Sequence, residues 1–488
     1  MKIRLLVLGL LLSTISFAQV NWQTEVQMKT PAEFSYTGDL IYTWHYNANT
    51  YYKYTLTLFD NNLKELNKIE VENKKLTELT DAIAVGGDVY FYFLSGKEAT
   101  LMKVDATGQK VKEISFEDEE TDVYELFLRT DGNKLFVGRS IKPKKRGFLV
   151  ECYDASLVKK WSYEKVPDKG SDGIKAMEAS GDGVILLTSF AKNAFSSSSY
   201  SGLALDANGK EVGTTAIEVP NYFSILSSRT LVNGHMMVMS TYGNGPEALP
   251  DMPSGLLLHE IDSKGAVAQT YDLSFEDLGE QIMPMESTRP FGNTAPALHP
   301  VDLIEANGTT TLLCESFYFQ KIAVSTGSTT TTTPSKEANF YMLDLIQIKL
   351  NNGDFEISKT SKPYQSIKFE NIMVVSSGKI YEQMVEDRGY SYQFSHNGQV
   401  YIKGWLRNFH YYNPTTLNHD YVDVDNRVFY GRPFFGLNNP SGISGKIVRN
   451  PDFGINHQLA YSGLMKFDTH FLVYEYRLGV LKATKVNL

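Results

Sequence analysis

The sequence predicts an all-β protein built from repeated four-stranded antiparallel units, and a recurring pair of turns is the main observation behind this fold class. Turns of the form Asp-x-x-Gly, or degenerate copies of it, start at Asp60, Asp105, Asp154, Asp206, Asp262, Leu350 and Ser395. Gly-centred turns lie at Gly38, Gly87, Gly132, Gly181, Gly234, Gly308 and Gly378. The lag from the first kind of turn to the next turn of the second kind is 27 residues three times and 28 residues twice. A period of about 45 to 56 residues with two turns per unit is typical of successive four-stranded sheets.

The second unit shows how one repeat is read. Short apolar or β-branched runs at residues 82–85, 89–93 and 100–104 are followed by a charged run at 110–115. Gly-Gly-Asp and Asp-Ala-Thr-Gly sequences separate the first two and the last two runs, and both favour tight hairpins. Three apolar strands and one charged strand indicate inner strands buried between neighbouring sheets and an outer strand at the rim.

The arrangement of the units is predicted to be a closed ring. Sustained helical periodicity is absent from the sequence, and open stacks of repeats usually have shorter units with atypical ends. Further strand-like runs follow the seventh pair of turns, and Asp425 or Asp468 could begin another inner turn, the turn between the first and second strands of a unit. Residues 21–29 alternate like an outer strand, which would complete the last unit together with residues 464–488. We therefore predict one β-propeller domain over residues 19–488, with eight four-stranded antiparallel blades rather than seven.

The segments KVDATGQKV, ALDANGKEV and EIDSKGAVA resemble the outer hairpins of kelch-like and quinoprotein-like members of the β-propeller superfamily. The resemblance is confined to the fold. The Trp of quinoprotein repeats and the GH and WD pair of WD40 blades are missing, and one Gly-Gly pair does not make a kelch series. The resemblance therefore implies a propeller without implying the chemistry of a particular family.

The N-terminus has the pattern of a secretory signal peptide. A positive start at residues 1–4 precedes an apolar run at 5–17, and Ser16 and Ala18 are small residues at the positions that a signal peptidase reads. The run is shorter than the roughly 20 apolar residues that a membrane-spanning helix needs. We expect a signal peptide over residues 1–18, cleavage after Ala18, and a protein exported to the periplasm or the cell exterior.

The charge balance and the cysteines exclude further classes. The formal net charge is −9, which argues against nucleic acid as a partner because phosphate binding needs clustered Lys and Arg. Cys152 and Cys314 lie in different repeats. Sheets that lie far apart in the ring cannot bring two Cα atoms within about 7 Å. We therefore interpret the two cysteines as small buried side chains rather than as a disulfide.

Catalytic and cofactor motifs are missing from the sequence. It has no G-x-S-x-G, H-E-x-x-H, P-loop or G-x-G-x-x-G motif, so no catalytic residue and no cofactor is predicted. The nearest metal-like pattern is Asp420, Asp423 and Asp425, whose spacing could suit Ca²⁺. The rest of a calcium loop is missing, which favours solvent-facing acids.

Binding is predicted at the end of the ring that carries the longer connections. In four-stranded units the connections after the second and fourth strands share one end, and the lag of 46 residues from Asp262 to Gly308 places an insertion there. The loops at residues 195–200 and 242–253 are predicted to lie on the same face, and long loops on a rigid scaffold often carry binding residues. The candidate binding residues on this face are Tyr242, Arg289, Phe291, Tyr318 and Phe319.

Three functions remain open at this stage. The first is recognition of a protein or glycan by aromatic and Arg anchors on this loop face, without a transmembrane segment or nucleic acid. The second is a carbohydrate-active hydrolase with acidic residues in the central channel, since two carboxylates about 5 to 10 Å apart leave no local motif. The third is a structural subunit of a cell-envelope complex. The alternative for the loop-face aromatics is that they only pack against their own scaffold.

Overall fold

The computed structural model describes much of the chain between residues 20 and 487. The described ranges are 20–27, 33–46, 53–72, 77–95, 98–117, 121–143, 146–181, 183–193, 197–220, 222–243, 252–284, 295–306, 308–321, 338–351, 353–360, 365–369, 392–396, 399–406, 421–423, 432–439, 442–447, 460–477 and 480–487. Residues 1–18 lie outside them, so the signal peptide and the division into leader and single domain stay predictions.

The chain opens with β1 (Val20–Gln27) and then forms four consecutive four-stranded antiparallel sheets. The first contains β2 (Glu33–Thr37), β3 (Leu40–Tyr46), β4 (Lys53–Phe59) and β5 (Glu65–Glu72). The second contains β6 (Glu78–Val85), β7 (Asp88–Ser95), β8 (Glu98–Val104) and β9 (Lys110–Glu117). The third contains β10 (Thr121–Thr130), β11 (Lys134–Pro143), β12 (Gly147–Asp154) and β13 (Lys159–Lys165). The fourth contains β14 (Ser171–Ser180), β15 (Gly183–Ala191), β16 (Ser199–Leu205) and β17 (Glu211–Ile217).

The second half of the chain adds four more sheets. The fifth contains β18 (Ser224–Thr230), β19 (Met236–Tyr242), β20 (Gly255–Ile261) and β21 (Val267–Ser274). The sixth contains β22 (Ala297–Ala306), β23 (Thr309–Lys321), β24 (Ala338–Asn351), β25 (Asp354–Thr360), β26 (Gln365–Phe369) and β29 (Tyr421–Asp423). The seventh contains β27 (Tyr392–His396), β28 (Gln399–Leu406), β30 (Arg432–Asn439) and β31 (Gly442–Ile447). The eighth contains β32 (Ala460–Phe467), β33 (His470–Arg477) and β34 (Val480–Asn487), with β1 as its outermost strand.

This sheet order is that of a β-propeller, so the predicted fold class is confirmed. Each sheet from the first to the fifth is an up-and-down meander, and the first strands of successive sheets contact one another, as β6 contacts β10 and β10 contacts β14. These first strands border a central channel. The number of blades stays a prediction, because residues 370–391, 407–420 and 424–431 lie outside the described part of the chain.

The repeated turns have the geometry that their sequence predicts. In the third-to-fourth-strand turn of the second sheet, Asp105 Oδ1 accepts the backbone N–H groups of Thr107 and Gln109, at 2.9 and 3.0 Å. Asp60, Asp154, Asp206 and Asp262 make the same pair of bonds. Short Asp side chains stabilise such turns because they replace a backbone acceptor.

These Asp turns also fasten neighbouring sheets together. Asn67 of the first sheet donates to the carbonyl of Gly108 in the turn of the second, and Trp161 of the third donates to Ala207 in the turn of the fourth, both at 2.9 Å. Lys485 of the eighth sheet donates to Asn62 in the turn of the first, also at 2.9 Å. The last sheet therefore meets the first through the same kind of contact that joins the others.

Two of these turns carry leucine where the others carry glycine. Leu63 and Leu157 have φ values of 60° and 55°, in the left-handed region that L-residues avoid. Both side chains are buried: Leu63 packs with Phe59 and with Phe467 of the eighth sheet, and Leu157 lies in the cluster between the second and third sheets. Burial of the leucine offsets the backbone strain, since a buried Leu contributes about 1.5 to 3 kcal/mol.

The seventh sheet departs from the predicted reading. The turn at Ser395 was expected between third and fourth strands, but it joins β27 to β28 and is therefore an inner turn. An Asn-Gly pair suits either hairpin, so composition alone does not distinguish the two. The inner turn predicted at Asp468 is confirmed between β32 and β33, and Asp425 lies outside the described residues.

The two cysteines follow the prediction. Cys152 on β12 and Cys314 on β23 are fully buried and form no disulfide. Burial raises the pKa of the Cys152 thiol to about 11, and it also raises the pKa of Cys314. Both side chains fill the apolar core.

Candidate functional site

The ring has one elaborated end, which we call the loop face. The connections after the second and fourth strands of each sheet open there. The connection from β21 to β22 contains the helical turn α1 (Phe275–Leu278), capped by the Ser274 side chain, and a 3-10 turn over Gly279–Gln281. Strands β23 and β24 extend beyond the sheet body at this end, and their extension pairs with β26, which pairs in parallel with β29.

The β21–β22 connection is fixed to the scaffold. Phe275, Leu278 and Ile282 are buried in the apolar cluster between the fifth and sixth sheets. The Nζ of Lys359 on β25 donates to the carbonyls of Glu280 and Met283, at 3.1 and 3.0 Å. The described part of this insertion, residues 275–284, therefore forms a rigid border of the loop face.

Three of the predicted binding residues lie on this face, and their side chains are largely covered. Tyr242 and Tyr318 are 6% exposed and Phe319 is 7% exposed. The Tyr242 hydroxyl donates to Asp272 at 2.6 Å, and burial raises its pKa. The Phe319 N–H donates to the sulfur of Met252 at 3.2 Å, and burial raises the pKa of Tyr318 to about 12. These rings are positioned to support the loop face from beneath.

The other predicted site residues fall largely outside the described part of the chain. Arg289 and Phe291 lie in the undescribed range 285–294. Asp420 and Asp425 are likewise outside it, and Asp423 ends β29 without a described side chain. Within the described residues, no group of three or more His, Cys, Asp or Glu side chains is placed to hold a metal ion.

A second set of aromatic residues lies on the loop face of the fourth and fifth sheets, and we call it the aromatic group: Phe190, Tyr200, Tyr222 and Phe223. Phe190, near the end of β15, is 37% exposed, and its ring lies beside Gly170 on the face of the fourth sheet opposite Tyr200. Tyr200 and Phe223 form an edge-to-face pair with centroids 5.0 Å apart, and Phe223 also contacts the buried His259 at 6.3 Å. Edge-to-face pairs hold aromatic rings in fixed orientations.

Backbone strain marks the same place. Tyr222 has φ 57°, so a bulky aromatic residue occupies the left-handed region immediately before Phe223. Such conformations cost about 1 to 3 kcal/mol and concentrate at functional sites. The loop at 195–200 indicated this region in the sequence, but Phe190, Tyr222 and Phe223 carry no pattern that separates them from core aromatics.

The central channel contains two groups of charged side chains on the inner strands. In the first, the Arg129 guanidinium lies between Glu178 at 3.3 Å and Asp81 at 4.0 Å. Glu178 also accepts hydrogen bonds from Ser228 at 2.6 Å and Thr230 at 3.3 Å. Burial raises the pKa of Asp81, and the N–H of Ala82 and the charge of Arg129 oppose that shift. This group has one cation and two carboxylates.

The second charged group has the opposite composition. Asp302 on β22 contacts Arg229 on β18 at 2.6 Å and Lys466 on β32 at 4.0 Å. The Asp302 Oδ1 also accepts the N–H of Leu303 at 2.9 Å. Burial lowers the pKa of Lys466, Asp302 opposes that shift, and Arg229 adds to it. Two cations therefore share one buried carboxylate.

The channel geometry bears on the hydrolase alternative. Asp81 and Glu178 contact the same guanidinium, which places them within the roughly 10 Å that paired catalytic acids use. The Arg129 side chain occupies the space between them, where a glycosidic bond would have to lie. The arrangement is that of an ion-pair network joining three inner strands.

Comparisons with known proteins give similarity at the level of fold. No protein-family model matches the sequence, and no curated protein matches it significantly. The chain is similar to the Dos1 propeller, with 9% identity, a TM-score of 0.45, and coverage of 95% of this chain and 94% of that one. It is also similar to the β-propeller domain of the Trilobed protease from Pyrococcus furiosus, with 11% identity, a TM-score of 0.39, and coverage of 88% and 98%.

The polysaccharide lyase Uly1 is a further similar structure, with 11% identity, a TM-score of 0.42, and coverage of 91% of this chain and 94% of that one. The fold assignment of this chain rests on its own sheet order. Among the residues that the structure describes, no helix has both the length and the apolar character needed to cross a bilayer.

Proposed function

We propose that this chain is an exported β-propeller that binds a protein or a glycan through the loop face of its fourth to sixth sheets. The observation that carries the proposal is the aromatic group, in which the fixed Tyr200 and Phe223 pair lies beside the strained Tyr222, and a partly exposed Phe190 lies on the other face of the fourth sheet at the same end. Aromatic side chains provide large contact areas at low entropic cost, and they dominate binding hot spots.

The rigidity of the surrounding loop face supports a role in binding a partner over the alternative that these loops only cover the scaffold. Strands β15 and β16 hold Phe190 and Tyr200, and the Lys359 bonds fix the β21–β22 connection at the other side of the face. A preorganised surface loses little conformational entropy when a partner binds. Tyr242, Tyr318 and Phe319 take part in this proposal as supports of the surface, and Arg289 and Phe291 as candidate contacts within the insertion.

Arg129 supports binding over hydrolysis. Its guanidinium contacts both channel carboxylates, so a substrate would have to displace a cation held by two ion pairs. Displacement would leave Glu178, which is largely buried, without its counter-charge. Breaking such a pair costs about 3 to 5 kcal/mol.

The experiment compares the full chain with a Phe190→Ala, Phe223→Ala double variant and with Val212→Ala as the matched control. Val212 is 51% exposed on the outer strand β17, away from the loop face. Binding is measured on a glycan array and by capture from the envelope of the native cell, followed by titration with the identified ligand. We expect at least a tenfold loss of affinity in the double variant and none in the control. Equal affinity of all three proteins would refute the proposed surface.

Export has a separate test. The chain with its N-terminus intact is expressed in its native cell type, and the protein is recovered from the periplasm or medium and sequenced from its N-terminus. We expect the mature chain to start at Gln19. Recovery of an uncleaved chain from the cytoplasm would contradict export without affecting the binding test.

A further inference from the structure

The loop face has an exposed apolar spot where the third and fourth sheets meet. Val166, directly after β13, is 40% exposed, and Phe190, near the end of β15, is 37% exposed. Both belong to the small set of large apolar side chains that the described part of the chain leaves exposed. Exposed apolar groups that lie together mark interaction surfaces, whereas single ones need no explanation.

Backbone contacts bring the two side chains into one neighbourhood. The N–H of Asp172 on β14 donates to the carbonyl of Arg146 at 2.8 Å, and Asp172 pairs in register with Phe190. Gly147 packs on the other apolar residue, since a Cβ at this glycine would lie 2.9 Å from the Cα of Val166. The ends of the third and fourth sheets are therefore joined at this point.

The ring of Phe190 is held against the backbone. A Cβ at Gly170 would lie 2.9 Å from both Cε2 and Cζ of the ring, and 2.6 Å from the carbonyl oxygen of Ala191. The ring thus covers a glycine and does not project freely into solvent. A surface that is fixed before binding loses little conformational entropy when a partner arrives.

Cations surround this apolar spot. Arg146, Lys169 and Lys192 are exposed, and each is the chain neighbour of one of the contact residues just described. Lys165 differs from them because it serves the scaffold: it contacts Asp172 at 3.8 Å. The hydroxyls of Thr214 and Tyr163 lower the pKa of Glu211 on β17, and the charge of Lys165 lowers it further.

The acidic residues nearby do not balance these cations. Asp168 is exposed in the connection from β13 to β14. Glu164 pairs in register with Leu149, on the side of the third sheet that faces the second sheet. Asp122 on β10 pairs in register with Lys142. Among the described residues of the three connections, cations outnumber carboxylates by three to one, and by four to three when Lys165 and its two carboxylate partners are added.

We infer that this junction patch, formed by Arg146, Val166, Lys169, Phe190 and Lys192, binds an acidic protein segment that carries apolar side chains among its carboxylates. The cations match the carboxylates, and the two apolar residues match the apolar side chains of such a segment. The inference rests on the proposed function, because Phe190 belongs to the aromatic group, and it specifies the chemistry of the partner.

A lipid surface or a long polyanion fits the patch less well. Interfacial binding to a membrane buries an apolar face about 5 to 10 Å deep, and the Phe190 ring rests against Gly170 and does not project. The formal net charge of the chain is −9, so the rest of its surface repels an extended polyanion. A short acidic segment needs only local complementarity.

The test measures fluorescence anisotropy of labelled peptides with the full chain. The probe is Gly-Glu-Phe-Glu-Glu-Leu-Glu-Gly, and the same peptide with Gln in place of every Glu is the neutral probe. Polygalacturonate and phosphatidylglycerol vesicles represent the other anionic partners. Each measurement is repeated at about 50 and about 200 mM salt, because salt screens exposed ion pairs.

Three variants accompany the wild type, and circular dichroism checks that each is folded. The first is Lys169→Gln, Lys192→Gln, and the second is Phe190→Ala. The matched control is Lys210→Gln, Lys264→Gln, which removes the same charge from two exposed lysines in the Asp turns at the opposite end of the sheets.

We expect the wild type to bind the Glu peptide and not the Gln peptide, more weakly at the higher salt concentration. Affinity should fall about fivefold in the first Lys pair and about tenfold in Phe190→Ala, with no change in the control pair. Equal affinity for the two peptides, no binding of either, or equal losses in both Lys pairs would overturn the inference. Binding of vesicles or polygalacturonate without the Glu peptide would also overturn it. The proposed function would survive these results, since its own test uses the captured ligand and includes Phe223.

Discussion

The indole ring of Trp161 lies directly on the backbone of Gly209, in the Asp turn of the next sheet. A Cβ at position 209 would lie 2.5 Å from Cε3 of the ring, and Gly209 has φ +76°. The Nε1–H of Trp161 donates to Ala207, two residues earlier, at 2.9 Å. Glycine is thus required both by the conformation of the turn and by the neighbouring blade.

Replacing Gly209 by alanine should therefore cost more than replacing a turn glycine that has free space. Left-handed backbone costs an alanine about 1 to 2 kcal/mol, and displacement of the Trp161 ring adds about 1 to 3 kcal/mol. Gly87→Ala is the control, since Gly87 has φ +90° but nothing within 4 Å of the added Cβ. Urea unfolding measures both variants. Equal destabilisation would show that the contact with Trp161 does not matter.

Leu63→Gly separates backbone strain from burial. Glycine removes roughly 1 kcal/mol of strain at φ 60°, but it also removes a leucine packed between the first and eighth sheets, which costs roughly 2 to 5 kcal/mol. We expect a net loss of roughly 2 to 4 kcal/mol in the free energy of unfolding. Leu157→Gly should behave in the same way between the second and third sheets. A gain in stability in either variant would mean that strain outweighs packing.

His299 should make the fold sensitive to acid. Complete burial lowers the pKa of this imidazole from 6.5 to about 3, so it stays neutral in the folded state. Below about pH 6 the unfolded chain binds a proton that the folded chain does not, and stability falls by roughly 1.4 kcal/mol per pH unit down to about pH 3. Above this window the group contributes no pH dependence.

The check compares His299→Gln with the wild type in urea titrations at several pH values between about 4 and 8. Other groups titrate in both proteins, so the difference between the two slopes isolates His299. The variant is expected to lose less stability on acidification, even if it is less stable at neutral pH. Parallel pH profiles would contradict the assignment.

Lys359 should protect the β21–β22 connection from proteolysis. Its ammonium group donates hydrogen bonds to two backbone carbonyls in and just after the 3-10 turn, those of Glu280 and Met283. In Lys359→Ala we expect a Glu-specific protease to cleave after Glu280 several times faster, because local opening of the anchored border costs less free energy. Lys349→Ala is the control, since Lys349 lies on the adjacent strand and forms an exposed pair with Glu356 at 3.9 Å, away from the β21–β22 connection. Mass spectrometry identifies the cleavage site.

The sequence predicts the fold well because turn chemistry is local. The Asp turns at Asp60, Asp105 and Asp154 and the inner glycines each determine their own hairpin, and together they define the sheets. The seventh sheet fails this reading because an Asn-Gly turn near Ser395 does not specify which pair of strands it joins. Local signals determine hairpins, and only tertiary packing determines their place in a sheet.

The candidate sites are less accessible to sequence reasoning. Tyr242 and Tyr318 are aromatic residues beside long connections, as binding residues often are, yet both are buried, Tyr242 with its hydroxyl on Asp272 of the same sheet and Tyr318 in a cluster with Met252 packed against it. Asp302 and Lys466 are 164 positions apart in the chain, on the sixth and eighth sheets, and meet only in the folded protein. A single sequence contains no signal for such a pair, because each residue alone resembles an ordinary charge at the end of a strand.

The pairing of β1 with β34 imposes an order on assembly. The second to fifth sheets use contiguous sequence, so each can form as soon as its own strands are available. The eighth sheet needs the first strand and the last three at once, and β1 must wait unpaired until the C-terminal residues arrive. A chain cut short at its C-terminus would therefore keep β1 without its partner strand, and such an exposed edge can pair with another chain. Only a polypeptide synthesised to its end can complete the eighth sheet.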